Sequence, residues 1–349
     1  MPTPLRLIAT LLILQVLPTA SQAQERGVNS RPTSNNTRRI TLNVVVTPKS
    51  GKPVTGLQQQ DFTILDNNAP QTITNFQANG TSTVPVEIIL LIDAVNTNFK
   101  NMAFERDQIE KFLRANGGRL PHPVTLAIFT DTGTQIENQS STDGNQLSAA
   151  IEQSPTGLRE IHRSSQFGAE DRLSLSIKTL HSLVGRESQR PGRKIIFWVS
   201  PGWPLLSGPV LNLTAKQTQA IYNDVVSLSD QLRQNDITIY DIDPLGPGES
   251  LSREFYYESF LAGLKNSRDA QPGNLALQVL AIQSGGLVSI AGNDVAGQLQ
   301  QAMDDTTAYY RISYDSPPAE HSREYHTIEV RVGQPGLKAH TLTGYYAQP

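Results

Sequence analysis

The chain has 349 residues and a net charge of −3, from 29 Lys and Arg against 32 Asp and Glu. That length suits about two domains, and the charge lacks the basic excess of a nucleic-acid binder. Cysteine is absent, which excludes disulfide frameworks, thiolate metal centres, iron–sulfur clusters and cysteine nucleophiles.

Arg6 is the only charge before Glu25, and Leu5 to Leu17 is an apolar run broken by Pro18. Ser21-Gln-Ala23 places small residues at the −3 and −1 positions of a cleavage site. The run is shorter than the roughly 20 residues of a membrane span. Residues 1–23 therefore read as a signal peptide cleaved after Ala23, with an uncleaved anchor as the alternative. No cysteine follows for lipid attachment, and no later segment is apolar enough to span. The mature chain is expected to be secreted or periplasmic, without a transmembrane segment. Residues 24–39 are polar and turn-rich, as in a flexible linker.

From Ile40 the pattern alternates, with Ile40, Leu42, Val44 and Val46 on one side of a half-buried strand. Phe62–Leu65 and Gln71–Phe76 follow as strands, with Asp66-Asn-Asn68 as a turn. Residues 40–83 thus form a small antiparallel unit, too small to hold a core alone.

The period changes over residues 84–305. Val86–Ile92 is almost continuously apolar, as in a central strand covered on both faces. The spacing predicts a helix over 102–115 with Phe104, Ile109, Phe112 and Leu113 inward, stopped by Asn116-Gly-Gly118. Val124–Thr130 is a strand, and Asp131-Thr-Gly133 turns it into an antiparallel neighbour. A helix over 170–184 ends at Gly185. Lys194–Val199 is a second buried strand. Thr214-Ala-Lys-Gln217 is a capping box for a helix with Ile221, Val225, Leu228 and Leu232 inward. Ile237–Ile242 is a strand, Leu275–Ile282 a helix, Leu287–Ile290 a short strand, and Asn293 or Asp294 caps a last helix. Strands alternating with helices imply an α/β, doubly wound, mostly parallel sheet with one antiparallel edge strand. Residues 306–349 return to alternation in three strands, Tyr309–Tyr314, Tyr325–Val332 and Ala339–Tyr346. Each end of the chain needs the other to bury its apolar face, so a small β-sandwich built from both chain ends is expected.

Three segments carry a family resemblance. They are Val44 to Leu57 with Asp61-Phe62 and Phe76, Ile88-Ile-Leu-Leu-Ile-Asp93 with Ala94 to Thr97, and Tyr309-Tyr-Arg-Ile-Ser-Tyr314 through Tyr325 to Val332 and Gly344-Tyr-Tyr346. With them the chain resembles the von Willebrand factor type A (VWFA) domain, and more narrowly the exported VWFA-related proteins found in Acidobacteria. The resemblance implies a metal-ion-dependent adhesion site at the C-terminal ends of the parallel strands, where open α/β sheets bind ligands. In that family Asp-x-Ser-x-Ser, a Thr from a later loop and a second Asp hold Mg²⁺ through hard oxygens. Here Asp93 matches and Thr97 can replace the second Ser, but Val95 stands at the first Ser and Pro201 at the second Asp. Ser164 or Ser165 is the nearest substitute for the Thr. The site reads as degenerate, with no metal and no cofactor expected, and Asp93 instead bonding to loop backbone.

Other chemistry is sparse. His122, His162, His181, His321, His326 and His340 show no i, i+4 pair and read as surface or turn residues. Ser200-Pro-Gly202 follows a strand, but Trp198 replaces the glycine of a nucleophile elbow and Pro201 lacks an oxyanion N–H. Asp241 with Asp243, and Asp304 with Asp305, read as structural or solvated. Phe99, Trp203, Phe255-Tyr-Tyr257 and Phe260 are aromatics near the ligand end, suited to a peptide or protein partner or to packing of the insertion. The expected function is a non-catalytic, exported protein-interaction module, with Asp93, Asn96, Thr97, Asn98 and Trp203 as binding residues. The alternatives are an Mg²⁺-dependent adhesion protein with a rearranged site and, behind it, a cell-envelope hydrolase.

Overall fold

In the computed structural model, the described residues are 38–49, 51–79, 85–97, 99–153, 166–204, 213–244, 260, 262–289 and 293–349. The expected signal segment, nearly all of the linker, Asn98, Ser164, Ser165 and Phe255 to Tyr257 lie outside them.

Two sheets form the sandwich, and each takes strands from both ends of the chain. Strand β1 (Arg39–Pro48) pairs antiparallel with β12 (Tyr309–Asp315), from Arg39 opposite Asp315 to Val44 opposite Tyr310. Its second half pairs with β14 (Leu337–His340), while β4 (Ile73–Asn79) lies on the far side of β12. The other sheet runs β15 (Gly344–Ala347), β13 (Glu324–Val332), β2 (Phe62–Asp66) and β3 (Ala69–Gln71). The β2–β3 hairpin turns on Asn67 and Asn68, both at positive φ, which the asparagine side chain tolerates best after glycine. Ile40, Leu42, Val44, Ile64, Ile312 and Tyr345 meet between the sheets, so neither end buries its apolar face without the other.

One expected strand is in fact two. Ala339 to Tyr346 reads as one strand in the sequence, but β14 belongs to the sheet of β1 and β15 to that of β13, with Thr341–Thr343 as the crossing. Alternation reports which residues face inward; in a sandwich that is equally true of either sheet. The chain crosses the same way between β3 and β4.

The central sheet runs β11 (Val288–Ser289), β10 (Ile237–Ile242), β9 (Arg193–Val199), β5 (Val86–Asp93), β6 (Arg119–Thr130) and β7 (Gly133–Ile136). Pairs from β11 to β6 are parallel. β7 is antiparallel on β6, as the Asp131–Gly133 turn implies, and β8 (Ser141–Asp143) adds a second short antiparallel pairing on the same edge. Helices α1 (Phe99–Arg114), α2 (Gly144–Gln153) and α6 (Val295–Thr307) cover one face. The other is covered by α3 (Gln166–Glu187), α4 (Ala215–Gln234) and α5 (Leu277–Gln283). This is the doubly wound, mostly parallel, VWFA-like arrangement, joined to a sandwich made from both chain ends.

Three local expectations change. Helix α3 runs through Gly185 to Glu187 instead of stopping there. On α1, Phe104 is exposed (38%) and Glu105 is buried in its place. The stripe is Glu105, Ile109 and Phe112, at i, i+4 and i+7, which Phe104 does not share. His326 is buried and the Nε2 atoms of His122 and His340 are enclosed, so these three are not surface histidines.

Candidate functional site

Strand β5 ends at Asp93 and β9 at Val199, adjacent in the sheet, so the loops after them meet above the same crevice. Asp93 is fully buried. Its Oδ1 accepts from the backbone N–H of Val95 (3.0 Å) and Asn96 (2.9 Å). Its Oδ2 accepts from Asn96 Nδ2 (2.8 Å), Trp198 Nε1 (3.0 Å) and the Ser200 hydroxyl (2.9 Å). Ser200 Oγ in turn accepts from Gly202 N (3.1 Å), and Asn96 Nδ2 also reaches Ser176 Oγ (3.0 Å) on α3. Gly202 stands at φ 91°, and a Cβ there would collide with the Gln278 amide on α5, so only glycine closes this turn. Burial pushes the Asp93 carboxyl up, and the bonds from Asn96, Trp198 and Ser200 draw it back.

A second buried carboxyl stands nearby. Glu105 on α1 is pushed well above the usual carboxylate range, first by burial and then by the charges of Asp93 and Asp243; the Thr97 hydroxyl acts against them. Asp241 and Asp243, at the end of β10, are buried as well, not solvated.

The expected binding residues are therefore distributed unevenly. Asp93, Asn96 and Thr97 come together in one loop, where Thr97 is buried and Asn96 half-buried. Asn98 lies outside the described residues. Trp203, expected on the rim, is 3% exposed and packs edge-on against Trp198 with ring centroids 5.4 Å apart. Of the other aromatics, Phe260 packs over Gly273. Sequence reasoning missed Glu105, Trp198 and Ser176. The available signal was Glu105 at the i−4 and i−7 positions of an apolar stripe.

The residues present do not fit the divalent ion that the family resemblance implies. Such an ion takes about six oxygen ligands. Both Asp93 oxygens already accept from five protein donors, Val95 contributes an isopropyl group to the core, and Pro201 has no side-chain oxygen. Among the described residues no group of three or more His, Asp or Glu is arranged to hold a metal. Nor is Ser200 open to a substrate: it is fully buried, its hydroxyl donating to Asp93 Oδ2 and accepting from Gly202 N.

No protein-family profile and no curated protein sequence matches the chain. Among solved structures, it is similar to the PilB minor pilin from Streptococcus sanguinis at 12% identity and a TM-score of 0.37, over 65% of this chain and 61% of the pilin. It is similar to a von Willebrand factor type A protein from Catenulispora acidiphila at 11% identity and TM-score 0.34, over 90% and 75% of the two chains. A third is the pilus adhesin SpaC from Lactobacillus rhamnosus GG, at 10% identity and TM-score 0.33, over 72% and 36%. The match thus spans less than two thirds of the pilin, and likenesses of this grade assign no role to any residue here. No described helix is long and apolar enough to cross a membrane.

Proposed function

We propose that this chain is an exported, non-catalytic module that binds a protein or peptide partner through the loops above the C-terminal strand ends, without a divalent metal. One observation carries this reading: the carboxylate at the metal position is satisfied by Val95, Asn96, Trp198 and Ser200. A carboxylate that accepts this many protein donors gains little from an ion, and the ion would have to displace them. Asp93, Asn96, Thr97 and Trp203 then act from beneath, holding the loop whose outer surface meets the partner. The Leu5–Leu17 run and Ser21-Gln-Ala23 support export to the periplasm or the exterior, with a mature N-terminus at Gln24.

The test is capture of partners from the envelope fraction of the source organism, with and without EDTA. Capture should be unchanged by EDTA. Calorimetric titration with Mg²⁺ and Mn²⁺ should show no binding tighter than the millimolar range. Low-micromolar dissociation constants, abolished by Asp93→Ala, would overturn the reading. They would establish the second one, a rearranged cation-dependent adhesion site.

A further inference from the structure

A small pocket lies on the seam between the sandwich and the α/β unit. Its polar lining includes Thr41 and Asn43 on β1, Arg233 near the end of α4, Asp236 before β10, Ser284 after α5, and Thr341 in the crossing between β14 and β15. Half of these side chains are fully engaged. Thr41 Oγ1 meets Ser313 Oγ at 3.0 Å. Ser284 Oγ accepts from Ile239 N (2.9 Å) and donates to Ala281 O (2.9 Å). Asp236 accepts from Asn43 at Oδ1 and from Arg311 at Oδ2. The other three are not: Asn43 Oδ1, Arg233 Nε and Thr341 Oγ1 are enclosed without a hydrogen-bond partner among the described residues.

The roles of these three atoms are fixed. Asn43 donates Nδ2–H to the Asp236 carboxylate at 2.5 Å, so its amide cannot be turned over and Oδ1 is an acceptor. Arg233 donates from Nη2 to Asp230 Oδ1 at 3.2 Å, which leaves Nε–H as a donor. The Thr341 hydroxyl can give or take. Buried polar groups in folded proteins almost always have a partner, from the protein or from ordered water.

Size and charge define the partner here. The pocket leaves about 20 Å³ of room for the centre of a water molecule, and one water needs about 10–15 Å³. Arg233 repels a cation, while Asn43 Oδ1 and the Asp236 carboxylate repel an anion, so the ligand is neutral. It has to accept from Arg233 Nε–H, donate to Asn43 Oδ1 and complete Thr341. Water does all three, and about three protein bonds are usual for a buried water. We infer that a single structural water binds in this pocket and pins the crossing segment Thr341–Thr343 to β1 and α4. That segment belongs to no strand, so the water supplies a fixed point where the chain leaves one sheet for the other.

Thr341→Val tests this by the sign of its effect. Valine matches threonine in shape and lacks the hydroxyl. A hydroxyl bonded to water is lost at the cost of one hydrogen bond, so the folding equilibrium constant should fall about fivefold. A hydroxyl buried without a partner is better removed, and the constant would rise. Urea denaturation of the chain and the variant measures the difference, and an unchanged or raised constant would overturn the inference. Should the variant fail to fold, a high-resolution crystal structure of the wild-type chain decides. One water within about 2.7–3.2 Å of Asn43 Oδ1, Arg233 Nε and Thr341 Oγ1 supports the site. No water there, or one bonded to fewer than all three, refutes it.

Discussion

Asp93 shows how one side chain changes occupation while keeping its place. Its carboxylate is buried at the end of β5, but an indole N–H, a hydroxyl, an amide and two backbone N–H groups supply the positive ends of the dipoles around it. Removing it strands buried donors, each costing about 1–3 kcal/mol when unpaired. Asp93→Ala should therefore lower unfolding free energy by about 3 kcal/mol or more, measured by urea denaturation. Glu105 should behave in the opposite sense. Its raised pKa means that the native state binds an extra proton above pH 4.5, so its contribution is full at low pH and declines as pH rises. Glu105→Gln should be more stable than wild type at pH 7, with the difference vanishing below pH 4.5. A variant less stable at both pH values would show that the carboxylate is needed in its charged form.

At the scale of elements, local chemistry was the most readable part of the sequence. Thr214 accepts from Gln217 N and the Gln217 side chain accepts from Thr214 N, so the capping box sits where the Thr-x-x-Gln pattern puts it. Thr214→Ala should cost about 1 kcal/mol, seen as a lower Tm. Asn116, Gly117 and Gly118 all take positive φ and end the α1 region, again as their residue types require. What the pattern did not contain was tertiary choice. The burial of Trp203 depends on Trp198 from the preceding strand, and that of His340 on α6 and β9, neither of which periodicity along one segment reports. Glycine gave the same half-signal: Gly285-Gly286 stops α5, but the reason Gly286 cannot change is that a Cβ would strike the Ile239 carbonyl of β10. Gly286→Ala should cost about 1–3 kcal/mol by forcing helix from strand, again read from thermal denaturation.

For the whole molecule, the decisive relation is that β1 lies between β12 and β14, and β2 beside β13. Deleting residues 306–349 removes every strand that pairs with β1 and leaves β2 only its hairpin partner β3. Hydrogen-exchange protection at Leu42, Val44 and Ile64 should then collapse toward that of an unfolded chain. Protection retained there would mean that the N-terminal strands hold a core of their own. The need for both ends was visible in the sequence because each half alternates and neither carries enough apolar surface alone. The assignment of strands to one sheet or the other was not, since both inner faces ask for the same residues.

The pairing of Arg39 with Asp315 spans 276 positions, and this distance has a meaning in time. At about 5–20 residues per second of synthesis, β1 waits roughly 15–55 s for its first partner. Throughout that interval a strand of alternating Ile, Leu and Val is an open template for any other chain. It begins with Arg39 and ends with Pro48, between Arg38 and Lys49, residues that discourage such pairing by charge and by the missing N–H. Those four side chains thus guard the strand while it is still alone, a duty that ends once the last segment arrives.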